Sequence, residues 1–206
     1  MTDLVDYHNF DEKKMIILSQ LKHLCFHTFM TNQNDKELSD KNILIKLIII
    51  LFDNVIVSSI HNCTNKCVFS SPDVKMSLVN YIERCVKYLD IQYFELVMSI
   101  ILLDTLITNC SNAGNVHLMS YVNIHKLFAT SVTVTMKFSC DHFPIMSQVC
   151  EILCMTREQY RECELAFLNI LACGIWIPPE IYKIYDDVIM RKIKDFTLIQ
   201  NTNRFV

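Results

Sequence analysis

The amino-acid sequence predicts an all-α fold, and three observations carry that expectation. Only 2 glycines, Gly114 and Gly174, and 4 prolines occur in 206 residues. A sandwich or barrel of short strands needs turn residues about every 8 to 12 positions, so these counts argue against one. Hydrophobic residues make up 51% of the chain and recur at helical spacing over long segments. Two of those segments, Ile43 to Val57 and Leu96 to Ile107, are apolar almost all round, which is the pattern of a helix buried among other helices.

The elements follow in chain order. From Asp11 to Met30, Ile17, Leu18, Leu21, Leu24 and Cys25 share one side while Lys13, Lys14, Gln20 and Lys22 take the other, which predicts an amphipathic N-terminal helix. Thr31 to Asp40 is a polar linker. Ser39 or Asp40 can cap a second helix running to about Ile60, broken in polarity only by Lys46, Asp53, Asn54 and Ser58. His61 to Ser71 is expected to be loop. The next helix starts at a cap supplied by Ser71 before Pro72, or by Ser77, and carries Leu78, Ile82, Cys85, Val86 and Leu89 on one face. After a break at Asp90, the run Phe94, Val97, Met98, Ile101, Leu102 and Leu106 marks another helix, ending before the loop Asn109 to His117.

The segment Tyr121 to Ser139 is contested by its own composition. Thr130 to Thr135 is mostly β-branched and favours a strand by propensity. Yet Ile124, Leu127, Ser131, Thr135 and Phe138 share one side at a 3.6-residue period, and burial overrides weak propensity, so the expectation is helix. A shorter helix spans Phe143 to Cys154. Thr156-Arg157-Glu158-Gln159 reads as a capping box that opens the next helix, with Tyr160, Cys163, Phe167, Leu168 and Leu171 facing inward. Pro178-Pro179 ends that segment and begins a last helix bearing Ile181, Ile184, Tyr185, Val188 and Ile189.

The same composition excludes several functions. Phosphate-cradling loops, dinucleotide fingerprints and nucleophile elbows need glycines close together, and here the two stand sixty residues apart. The net charge is -3 and no Lys/Arg stripe runs along any segment, so nucleic acid is not an expected partner. The apolar segments are interrupted by Lys46, Asp53 and Asp104 and fall short of the roughly 18 to 20 residues of a membrane span, so no membrane is expected. Met1 to Lys14 is too acidic for a secretory signal, which predicts an intracellular chain, nuclear or cytoplasmic or both. Ten cysteines are then expected as reduced thiols that pack as small hydrophobes. His61, Cys63 and Cys67 form a grouping that suggests zinc, and Cys150 with Cys154 and Cys140 with His142 are further close pairs, but none has paired knuckle spacing, so no metal and no other cofactor is expected. No nucleophile, base and orienting acid can be singled out, so no catalytic residue is expected.

Two carboxylates break the apolar pattern. Glu164 lies four positions after Tyr160 and four before Leu168. Buried alone it would be costly, so it calls for a cation or several donors, unless it sits at the partly exposed edge of its face. Lys137, near the end of the Tyr121 helix, is the candidate partner, or else it simply answers the negative terminus of its own helix. Asp104 interrupts a strongly apolar helix and is expected to serve as a cap or to hydrogen-bond a neighbouring loop.

A series of strings, all but the first between Lys75 and Pro179, resembles in order a known family. Phe69-Ser70-Ser71-Pro72 comes first, then Ser77 to Arg84, Ile101-Leu102-Leu103-Asp104, and Asn123 to Val132. Met136-Lys137-Phe138 and Glu164-Leu165-Ala166-Phe167-Leu168 complete the series. Together they resemble the cyclin box over about residues 43 to 190, and are most similar to the P/U-type cyclins of phosphate signalling. The most specific part is the Asn-x-His-Lys-Leu block with the later Thr-Ser-Val and Lys-Phe.

The resemblance implies a single cyclin box of five helices, beginning near Met76, Tyr93, Tyr121, Phe143 and Arg157, with flanking N- and C-terminal helices. Residues 1–40 would be an N-terminal helix and polar linker, 41–190 the cyclin-box domain and 191–206 a C-terminal tail. It implies a regulatory subunit, not an enzyme, whose partner is a cyclin-dependent protein kinase docked through the kinase's C-helix. Lys137 and Glu164 match the family's kinase-binding lysine and glutamate, Phe138 is the apolar anchor, and Asp104 matches a structural aspartate of the box. The substrate-docking run of cell-cycle cyclins would fall on Val74 to Leu78 with Tyr81, where only Leu78 is kept. The aromatic residue usual after the glutamate helix is Cys173 here. The competing reading is a helical adaptor that binds no kinase.

Overall fold

The computed structural model describes residues 15–24, 40–58, 67–70, 76–112 and 119–203. Those residues form eight helices and no strand: α1 (Ile16–His23), α2 (Asp40–Ser58), α3 (Leu78–Tyr88), α4 (Tyr93–Asn112), α5 (Ile124–Ser139), α6 (Met146–Ile152), α7 (Arg157–Ile170) and α8 (Pro179–Asn203). The all-α expectation holds. Five helices, α3 to α7, follow in the order expected of the box, with α1 and α2 before them and α8 after.

At the centre lies α5, the segment with strand-like composition. All residues from Ile124 to Met136 are buried, and most of its hydroxyls bond within the helix. Thr130 Oγ1 donates to the Lys126 carbonyl at 2.7 Å, Ser131 Oγ to Phe128 at 3.0 Å and Thr133 Oγ1 to Ala129 at 2.8 Å. A hydroxyl satisfied by its own helix asks nothing of its neighbours, so this run can be buried without becoming a strand. Around α5 pack α3, α4 and α7, and Phe128 meets Phe52 of α2 edge to face at 6.0 Å. Helix α4, at twenty residues, is long and apolar enough to cross a bilayer, contrary to the shorter apolar run expected from sequence. Its faces are covered by neighbouring helices instead: Leu96, Ile101, Leu103 and Leu106 are fully buried.

Several boundaries shift for local reasons. Ser77, not Ser71, is the cap of α3 in the described residues, with its Oγ accepting the Asn80 N–H at 3.3 Å. A turn closed by Asn123 N–H on the Ser120 carbonyl delays α5 to Ile124. The capping box is formed as expected, with Gln159 N–H on Thr156 Oγ1 at 3.2 Å and Thr156 N–H on Gln159 Oε1 at 3.0 Å. Helix α1 is shorter than the Asp11 to Met30 expectation, whose flanks lie outside the described residues. Helix α8 continues without a break past residue 190 to Asn203, so residues 191–203 extend that helix.

Helix α1 belongs to the core. Ile17, Leu18 and Leu21 are buried, and the helix packs against α2, α4 and α8. Met15 offers no side-chain cap. The cap comes from α4: fully buried Asp104 accepts the N–H groups of Ile17 at 2.8 Å and Leu18 at 2.7 Å and the Tyr185 hydroxyl of α8 at 2.8 Å. At the other end, Lys192 Nζ of α8 donates to the Leu24 carbonyl at 2.8 Å. Both helix termini thus receive the charge that complements them. Burial pushes the Asp104 carboxyl up to about 6, although its hydrogen bonds pull the other way.

Helix ends show how a glycine-poor chain makes its turns. Asp90, Cys154 and Ala172 adopt positive φ of 51°, 53° and 48° just after α3, α6 and α7. In all three, the next N–H closes back five positions, Ile91 onto Val86, Met155 onto Cys150 and Cys173 onto Leu168. This is the αL ending that glycine normally serves, and a side chain there costs about 1 kcal/mol. Cys154 is exposed, so Cys154→Gly removes no packing. It is expected to raise unfolding stability by about 1 kcal/mol, read from urea denaturation midpoints at constant slope.

Candidate functional site

The two side chains singled out by sequence meet at one surface. Lys137 stands in the last turn of α5 and Glu164 in the middle of α7, twenty-seven residues later, and Nζ lies 2.6 Å from Oε1. Their side chains keep 32% and 22% of their surface, so the couple is half-desolvated and open on one side. Glu164 therefore has the cation its place on an apolar helix face requires.

A third residue completes the arrangement. The Tyr160 hydroxyl donates to the same Glu164 oxygen at 3.0 Å, and its ring lies 4.9 Å from Lys137 Nζ. The Phe143 ring lies 5.4 Å from Nζ. The ammonium is thus held by one carboxylate oxygen and two aromatic faces. Burial raises the Tyr160 phenol above its ordinary range, which keeps it a donor. Among the described residues, no donor reaches Glu164 Oε2, leaving that oxygen for a group from outside.

Apolar side chains surround the couple. Phe138, next to Lys137, is 47% exposed, and Leu165, next to Glu164, is 59% exposed. Ile145, at the entry to α6, is also exposed. A depression of about 390 Å³ lined by Met146, Arg157, Glu158, Tyr160, Arg161 and Glu164 opens beside the ion pair. Charged ends ringed by exposed apolar groups are the features of a protein-docking surface.

The end of α5 is fixed by a residue that the apolar pattern does not single out. Glu95, almost fully buried at the start of α4, accepts the Gln92 N–H at 2.7 Å, the Ser139 hydroxyl at 3.0 Å and the Cys140 thiol at 2.9 Å. It ties the start of α4 to the two residues just beyond Phe138. The signal in the sequence is the spacing Gln92-x-x-Glu95, a helix-entry signature. Tyr160 sits on the inward face expected of a core residue, although its spacing to Glu164 is that of neighbours on one helix face.

Other residues of the family-like strings hold the framework. Asn123 Oδ1 accepts the Ser70 hydroxyl at 3.1 Å. His125 Nε2 lies 3.1 Å from the Met76 carbonyl, which can only accept, so that nitrogen carries the hydrogen. Burial lowers the His125 pKa and favours its neutral form. Asp104 lies in the interior as the cap of α1, away from the surface couple. Where cell-cycle cyclins carry a docking groove, Leu78 and Tyr81 are buried. The Tyr81 hydroxyl is engaged by the Leu153 carbonyl at 3.0 Å. Val74 and Lys75 of that run lie outside the described residues, as do His61 and Cys63 of the zinc grouping. Among the described residues no three His, Cys, Asp or Glu side chains are placed to hold a metal ion.

Comparison with known proteins gives one family. A family model described as Cyclin matches residues 15–171. The match starts at the entry to α1, a helix expected from sequence to lie outside the box, and stops before α8. No curated protein matches. With about three quarters of its length inside that match, and with an all-helical fold, the chain belongs to the cyclin family.

Proposed function

We propose that this chain is the regulatory subunit of a cyclin-dependent protein kinase, of the P/U type, acting inside the cell. It catalyses nothing itself. It docks on the kinase's C-helix, with Lys137 and Glu164 bonding to polar groups around that helix and Phe138 packing as an apolar anchor. Fixing the C-helix lets its glutamate pair with the lysine that orients ATP, and the activation loop becomes ordered. The observation that carries this reading is the Lys137–Glu164 couple, 2.6 Å apart at the junction of α5 and α7 and flanked by exposed Phe138 and Leu165.

The test is reconstitution. The full chain is purified, mixed with each member of a panel of recombinant cyclin-dependent kinases, and assayed for co-elution and for phosphate transfer to a substrate peptide. At least one kinase is expected to co-elute and to gain activity. A chain that binds none of them and raises the activity of none overturns the proposal.

A further inference from the structure

We propose that Tyr160 is a positioning residue that presets the docking couple before any partner arrives. This inference rests on the docking reading above for its functional meaning, but its structural content stands on geometry alone. Tyr160 is 2% exposed, so its own contribution to a partner's contact area is negligible. It reaches the surface couple in two ways at once. Its hydroxyl fixes one oxygen of Glu164 from below at 3.0 Å, and its ring faces the ammonium of Lys137 at 4.9 Å.

The consequence is directional. Lys137 and Tyr160 converge on Oε1, so the carboxylate cannot rotate without losing both, and Oε2 stays turned away from them. An unanchored glutamate and lysine would each sample many rotamers and lose that freedom on binding. The residue behind the couple removes part of that loss in advance. Phe at 160 would keep the ring against Lys137 and delete the hydroxyl, with its bond to Glu164 and its contact with Thr133; the Glu164 background below separates the two.

Two measurements test this. The first needs no partner: the full chain is labelled with an amine-reactive acetylating ester, and modification of Lys137 is followed by mass spectrometry against Lys87 and Lys183 as internal references. Tyr160→Phe is expected to speed labelling of Lys137 severalfold with the reference lysines unchanged. An unchanged Lys137 rate overturns the proposal. The second uses the kinase that the wild-type chain activates. A hydrogen bond to a charged group is expected to be worth about tenfold in affinity here, so Tyr160→Phe should weaken binding by about that factor in the wild-type background. It should do nothing further on a Glu164→Ala background, where the hydroxyl has lost its acceptor, and an equal loss in both backgrounds assigns Tyr160 a general structural role and overturns the proposal. Failure of the docking reading looks different: Glu164→Ala itself then leaves kinase binding unchanged, while the labelling result still judges Tyr160.

Discussion

Asp104→Ala is expected to lower the stability of the chain by about 4 kcal/mol, near the upper end of what a single substitution produces. The change removes the acceptor of two backbone N–H groups at the start of α1 and of the Tyr185 hydroxyl, all of them buried. No side chain of α1 can replace it, because Met15 contributes no cap. Each donor left without a partner costs about 1 to 3 kcal/mol. Urea denaturation gives the magnitude, and hydrogen exchange locates it, with Ile17 and Leu18 losing protection first. A loss under about 1 kcal/mol would mean that α1 caps itself.

The same carboxylate sets a pH dependence whose sign follows from its raised pKa. In the unfolded chain it titrates near 3.8 and in the folded chain near 6, so between those values the native state binds the extra proton. Stability from this group is therefore complete below about pH 4 and lost as pH rises through 6. The difference of about two units corresponds to about 3 kcal/mol. Neutral His125 acts in the opposite sense, since its lowered pKa makes acidification below about 6.5 destabilising. Comparison with Asp104→Asn separates them. Subtracting the asparagine curve from the wild-type curve between about pH 4 and 7 should leave the falling limb of Asp104 alone, and a flat difference would contradict the assignment.

Lys137→Ala and Glu164→Ala are each expected to weaken the kinase complex by about 2 kcal/mol or more, about thirtyfold in Kd. Each truncation deprives the other charge of its partner just as a docking protein strips away water. The two effects should not add, because either change already breaks the couple. Stability of the free chain should move little, since both side chains remain partly exposed and such pairs are worth about 1 kcal/mol or less. Titration of each variant against the activated kinase measures the loss. Unaltered affinity in the double variant would remove both residues from the interface.

The fold was legible where one physical rule dominated. Apolar periodicity located the helices, and the Thr156 to Gln159 box set the start of α7 to the residue. Thr130 to Thr135 was ambiguous by propensity and decided by periodicity; the hydroxyl-to-carbonyl bonds that make it tolerable appear only in three dimensions. The couple was legible in part. Glu164 stood out because a carboxylate on an apolar face needs an explanation, Lys137 followed as its candidate cation, and the family resemblance matched both to a kinase-binding pair. Tyr160 and Glu95 did not stand out. A tyrosine on an inward face looks like packing until its hydroxyl is seen to point at a charge. A glutamate in the first turn of a helix looks like an ordinary dipole partner until Ser139 and Cys140 are seen to converge on it. For Asp104 a cap or a bond to a neighbouring loop was expected; it caps a helix eighty-seven residues earlier in the chain, an object no local pattern indicates.

The Asp104 carboxylate oxygen shared by the Leu18 N–H and the Tyr185 hydroxyl also has a timetable. The tyrosine follows the aspartate by 81 residues, and ribosomes add about 5 to 20 residues per second, so synthesis leaves an interval of roughly 4 to 16 s between the two. Throughout it the apolar helix α4 exists without α8, which packs against it. A nascent polypeptide in that condition is a client for holding chaperones, and slowing translation between those two codons should lengthen its stay with them.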